Sequence, residues 1–217
     1  MISEIFSTSP SWIRISPYSV LLKKPEETSI PDTTDYKEES LKIIVCLGNP
    51  GRKYKKNRHN AGMIAGETLA EEYGIRIKKK QHSSITGEGN IDGFKIIMYF
   101  PQTYMNNSGM AVNQAMQHYH LSHQDLVVLH DEIELPFGEV RDKFGGGHKG
   151  QNGLRSIIQE TGSADFYRVR IGVGRPDNPH MTVADWVLSN FTSEQLKMMD
   201  EIAQKATDSL LSCLRAQ

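Results

Sequence analysis

Cysteine is nearly missing from this chain of 217 residues: only Cys46 and Cys213 occur, far apart and in no metal-ligand spacing. A disulfide framework and a compact zinc module are therefore not expected, and a reducing compartment is the default. Long apolar runs are missing too, so no segment reads as a bilayer span. Charge of one sign is not in excess. The formal net charge of -1 does not advertise a nucleic-acid binder. Two catalytic signatures are also absent, the GxxxxGKS/T phosphate loop and the Gly-x-Ser-x-Gly elbow, and neither cysteine has a nucleophile motif around it. A covalent nucleophile is not indicated, and water activated by a histidine is the simpler chemistry.

What is present suits a globular domain: 38% hydrophobic and 24% charged residues. The length accommodates one α/β domain with an appendage. Residues 1–40 differ from the rest. Their first half is Ser-rich and lightly basic, and their second half (PEETSIPDTTDYKEES) is an acidic, Pro- and Thr-containing tether. They are read as a flexible extension. Organellar targeting is the lesser reading, because Glu4 and the acidic stretch do not suit a transit peptide. With 25 basic and 26 acidic residues in the chain, and four and seven of them before residue 41, the remainder holds 21 and 19 and is slightly basic. Clustered bases in such a domain suffice to bind RNA.

The folded part is expected to start at Lys42. The run KIIVCL (42–47) ends in GNPG, as a strand buried on both faces does. A helix follows from Asn60, its apolar side marked by Met63, Ile64, Leu69 and Ala70, with Gly74 stopping it. Strands are expected over 75–88, 94–100, 125–130 and 166–174, and helices over 106–120, 152–160 and 193–214. Strands alternating with helices predict an α/β fold: a single domain with a twisted mixed sheet, mostly parallel, flanked by helices. In such a sheet function gathers beyond the carboxyl ends of strands. Three polar loops lie there: 48–60, 101–109 and 130–152.

The first loop contains His59, the natural general base because imidazole titrates near neutrality. Its competing reading is a surface histidine after an ordinary turn, with Asn60 capping the helix. The second loop contains Asn106, whose amide suits a peptide or an oxyanion, although by itself the segment reads first as a helix N-cap, which Asn107 or Ser108 could equally supply. The third opens with His130-Asp131-Glu132, and an Asp after a strand can fix the tautomer of a distant His. A metal site from His130, Asp131, Glu132 and His148 is the rival, but its spacing matches no compact motif. The glycine-rich stretch from Arg141 to Arg155 permits close backbone approach, and Arg141, Lys143, Lys149 and Arg155 suit phosphates. The run RIKKK (76–80) is a solvated charge cluster with bases on both faces.

Five segments in order, IIVCLGNPGRKYKKNRHNAG, PQTYMNNSG, VVLHDEIELPFG, KFGGGHKGQNGLRSI and FYRVRIGVGRP, resemble the bacterial-type peptidyl-tRNA hydrolases across roughly residues 42–212. The resemblance implies a phosphorylase/hydrolase-like α/β fold over 41–217. It implies hydrolysis of the ester joining a peptide to the 3′ end of tRNA, with no metal or cofactor, by a monomeric cytoplasmic enzyme. His59 resembles the catalytic base and Asp131 its partner, with Asn49 and Asn106 binding the peptide backbone. Tyr54 corresponds to the residue that helps seat the tRNA end, Tyr104 to one that binds substrate or tRNA, and Asn152 to the one holding the aminoacyl end or the water. Arg141 and Lys143 fall at a clamp for the tRNA 5′ phosphate, and Arg170 at a second basic site. Asn57 stands where the family usually has Thr, and Gln151 where a His is commonest. Gln cannot carry a proton, so the second change bears on any acid/base role at 151. The alternative function is a catalytically silent member serving as an RNA-binding or splicing partner.

Overall fold

A computed structural model describes residues 41–217. The expectation for residues 1–40 lies outside the described residues. Seven strands form one sheet in the order β2-β3-β4-β1-β5-β7-β6. Strand β1 (Lys42–Cys46) lies near its middle, parallel to β4 (Phe94–Pro101) and to β5 (Leu126–Glu132). Strand β7 (Tyr167–Gly172) extends the parallel set beyond β5. The two margins are antiparallel: β2 (Lys79–Gln81) and β3 (Ser84–Ile91) on one side, β6 (Val140–Phe144) on the other. The expected α/β architecture with a mostly parallel sheet is what the chain adopts.

Strand β1 reads as a continuous apolar run because both of its faces are covered. Ile44 and Cys46 join the core under α1 (Ala61–Glu72) and α6 (Met199–Arg215). Ile43, Val45 and Leu47 join the opposite core, under α2 (Ser108–Tyr119) and α3 (Asn152–Thr161). Both cysteines are buried free thiols. Burial drives their pKa values upward, in Cys213 to about 12, so neither thiol is reactive.

Four expectations need correction. The stretch 75–88 is not one strand: residues 75–78 are irregular, and β2 and β3 form a hairpin around His82 and Ser83. Both turn residues have positive φ, 46° and 53°. A two-residue hairpin demands that conformation, and His-Ser carries none of the usual Asn-Gly signal. The polar loop expected over 130–152 contains strand β6, whose residues are mostly polar and exposed. The strand forms because β7 otherwise leaves a row of unpaired backbone groups. The helix expected over 193–214 is interrupted at Met198, giving α5 (Ser193–Lys197) and α6, and a short helix α4 (Val183–Leu188) precedes them. Asn60 makes no capping bond to α1.

Helices α2 and α3 approach so closely that a Cβ on Gly109 would lie 2.1 Å from the backbone oxygen of Ser156. The Gly109 N–H donates to Ser156 Oγ across the same contact, at 2.9 Å. No flexible side chain end can give way there. Overpacking typically costs about 1–3 kcal/mol, and we expect Gly109→Ala to fall at the upper end of that range. A urea unfolding midpoint equal to that of the native chain would contradict this packing.

Candidate active site

Three loops meet at the carboxyl end of the parallel strands. Strand β5 runs on through His130, Asp131 and Glu132, so these residues belong to the strand and not to the loop after it. Pleating turns Asp131 to one face and its two neighbours to the other. His59 sits in a single 3-10 turn, Arg58–Asn60, directly before α1. Its Nδ1 lies 2.8 Å from Asp131 Oδ2, with both side chains almost fully buried. Burial opposes the charge on Asp131, but the His59 charge and hydrogen bond, with the bond from Gln151, outweigh it and hold the carboxyl below its usual range. An ionised carboxylate only accepts, so His59 carries its proton on Nδ1 and leaves Nε2 as the base. Nε2 has no protein partner among the described residues, and His59 lines a cavity of about 430 Å³.

The turn that carries His59 is tied to the segment after β7. Arg58 stacks on Trp186 at 3.7 Å and donates to Ser189 Oγ at 2.7 Å and Gln195 Oε1 at 3.0 Å. Asn57, the departure from the commoner Thr, donates its side-chain amide to the carbonyl of Leu188 at the end of α4. Val183, Ala184 and Val187 of α4 line the same cavity. The surface-histidine reading of His59 is thereby overturned.

The amide of Asn49 is fixed by its neighbours. Its backbone exchanges two hydrogen bonds with the Asn60 side chain, both 2.9 Å. This is what Asn60 does in place of capping. Asn49 Oδ1 accepts from the Met105 N–H at 2.8 Å. That bond turns the oxygen toward Met105, and Nδ2 has no protein partner among the described residues. Asn106 follows Met105 and is exposed, Asn107 supplies no capping bond, and Ser108 Oγ is buried without a partner among the described residues. The helix-cap reading of this segment therefore does not hold. Tyr54 and Tyr104 meet edge to face at 6.4 Å.

The basic residues divide. Register places Arg141 opposite Arg170 and Lys143 opposite Arg168, four cations on one face of β6 and β7. Like charges so placed repel unless a ligand neutralises them. Arg170 is paired with Glu132 at 3.0 Å, Arg141 with Glu139, and Arg168 is buried, its guanidinium holding the carbonyls of Gly146, Gly147 and Ala164. Lys143 makes no ion pair among the described residues. Lys143, Arg170 and Asn152 line the cavity with His59 and Asp131, whereas Arg141 does not. Sequence reasoning missed Arg168 as the anchor of the glycine loop, and the only hint was its place beside Arg170. The rival metal site finds its carboxylates committed to His59, Gln151 and Arg170. Among the described residues no three His, Cys, Asp or Glu side chains converge as metal ligands.

A family model described as peptidyl-tRNA hydrolase matches residues 43–217. The chain belongs to the peptidyl-tRNA hydrolase family. It is similar to the peptidyl-tRNA hydrolase of Geotalea daltonii, with 47% identity covering 78% of this chain and 87% of that protein. The corresponding protein of Citrifermentans bemidjiense is 45% identical over 79% of this chain and 90% of its own. Among solved structures, a peptidyl-tRNA hydrolase from Acinetobacter baumannii superposes with a TM-score of 0.74 at 37% identity, covering 82% of this chain and 90% of that one.

Membership in this family leaves the titration of the pair to be worked out for this chain. Burial alone lowers the His59 pKa, but the Asp131 charge and hydrogen bond overcome it, and the net shift is upward. A general base must be neutral to take a proton, and that is the role the sequence expectation gives His59. We therefore expect kcat/KM to climb with pH through a single ionisation above the ordinary imidazole value of about 6.5. Asp131→Asn removes the cause, so in that variant the ascending limb moves to lower pH. A limb in the native protein below the ordinary value would contradict the pairing.

Proposed function

We propose that this chain hydrolyses the ester between a peptide, or an N-blocked amino acid, and the terminal ribose of tRNA. The observation that carries the reading is the buried His59–Asp131 hydrogen bond, with Nε2 left without a protein partner among the described residues and His59 lining the cavity. Water at Nε2, held by Asn152 or a backbone carbonyl, gives its proton to His59 and adds to the ester carbon. Asp131 stabilises the imidazolium. The tetrahedral oxyanion is assigned to side-chain amide or backbone N–H donors, with Asn106 as the side-chain candidate. On collapse the ribose oxygen leaves and takes the proton back from His59, freeing peptide and tRNA without a covalent enzyme intermediate. No metal or cofactor is called on.

The fixed amide of Asn49 supports selectivity for blocked substrates. Its free donor suits a peptide carbonyl, whereas a charged amine brings only donors and must be desolvated. We expect native protein to discharge N-acetylaminoacyl-tRNA in EDTA, and free aminoacyl-tRNA far more slowly. General-base catalysis is worth about 10²–10⁴-fold. His59→Ala should lose turnover on that scale while unfolding cooperatively. Wild-type turnover in that variant would end the base assignment. Equal rates on the two substrates would end the role given to Asn49. A silent RNA-binding relative would need neither the oriented imidazole nor the fixed amide.

Seating of the nucleic acid is assigned to Tyr54 and Tyr104 at the tRNA end, and to the cations of β6 and β7 for phosphate. Lys143 carries the greatest weight there, since carboxylates offset Arg141 and Arg170. Backbone contacts do not read sequence. We expect Lys143→Ala to weaken different tRNAs about equally and to reduce the slope of log affinity against log salt by roughly one. An unchanged slope would remove Lys143 from the phosphate contact.

A further inference from the structure

Gln151 stands where three parts of the site meet. Its Nε2 donates to Asp131 Oδ1 at 2.9 Å, the carboxylate oxygen that His59 does not use. Its Oε1 accepts from the Leu154 N–H at 2.8 Å, capping α3. Nε2 also lies 3.6 Å from the sulfur of Met105, whose N–H is held by Asn49. One uncharged side chain thus joins β5, the first turn of α3 and the Asn49 loop, next to Asn152.

We infer that Gln151 is a positioning residue for the hydrolysis: its amide clamps the Asp131 carboxylate to α3 and so sets the orientation in which Asp131 holds His59. This rests on His59 and Asp131 being the base and its partner. An isolated carboxylate with one donor can rotate about its terminal bond. A second donor on the other oxygen fixes its plane, and a fixed plane fixes the direction of the imidazole. Because the amide does not titrate, this support is constant with pH.

The surrounding groups leave that assignment to Gln151. On β5, His130 faces away from Asp131, its Nδ1 bonded to the Asp131 carbonyl at 2.7 Å, and burial keeps it neutral. Glu132 is paired with Arg170 of β7. Arg168 is committed to the glycine loop, while Lys143 of β6 and His148 and Lys149 of that loop line the cavity and make no bond to Asp131. Among the described residues, His59 and Gln151 alone donate to its carboxylate.

Three substitutions separate the clamp from the cap. Gln151→Glu keeps an acceptor for Leu154 and loses the donor. Gln151→Met loses both. Gln151→His restores an N–H donor. Misplacing a reacting group can cost up to about 100-fold. We expect Gln151→Glu and Gln151→Met to lower kcat by about tenfold or more at neutral pH, with KM within about twofold. Gln151→His should recover most of the loss. In Gln151→Glu the rate relative to native should climb as pH falls, since a protonated Glu donates and an ionised one repels Asp131. A native kcat in Gln151→Glu, or a relative rate flat with pH, would overturn the inference. So would a loss in Gln151→Met that appears only in KM. Turnover in His59→Ala would instead sink the proposed mechanism, which keeps the two failures apart.

Discussion

A carboxylate buried at the end of β5 is the constraint from which the rest of the site follows. Removing an ion from water costs several kcal/mol even after relaxation, and the cost is tolerated only where donors replace the water. Asp131 obtains one donor from the turn before α1 and one from the turn before α3. Those two segments cannot drift apart without stranding a charge. The same demand that stabilises the carboxylate therefore brings the imidazole, the α3 N-terminus and Asn152 into one cavity. The geometry of the His59–Asp131 pair and local stability have a single cause here.

The alternation of β5 keeps two kinds of electrostatics separate. Asp131 faces the histidine. Glu132, the next residue, is turned to the other face and is paired with Arg170. The two adjacent carboxylates thus do not share a partner. Beyond Glu132, register sets cations of β6 and β7 opposite one another, and Glu132 and Glu139 offset two of them, leaving Lys143 without an ion pair among the described residues. Arg168 is the exception within that strip: buried and bonded to three carbonyls, it orders the glycine loop rather than meeting solvent.

Much of the fold was legible because its central strands are buried on both faces and write continuous apolar runs. The margins were not. Strand β6 presents mostly polar, exposed residues and exists through pairing with β7, which no local pattern records. The β2–β3 turn places His82 and Ser83 in a left-handed conformation that their residue types do not advertise. Asn60 looked like a helix cap because it precedes α1. Its amide instead found the backbone of Asn49, eleven residues earlier, which local spacing does not favour or exclude.

The candidate site divides in the same way. Sequence alone determined the chemical inventory: an imidazole at one strand end, carboxylates at another, side-chain amides in the loops, a glycine-rich segment with bases, and two cysteines in neither a nucleophile motif nor a metal-ligand spacing. Those follow from residue type and local order. Only the tertiary structure decided which groups meet. It joined His59 to Asp131 across 72 positions, turned Asn49 donor-first, neutralised Arg170 and gave Gln151 to the carboxylate. The reason is physical: a hydrogen bond depends on distance and direction in space, and those are set by how strands pair and helices pack, which the identity of the two residues does not contain.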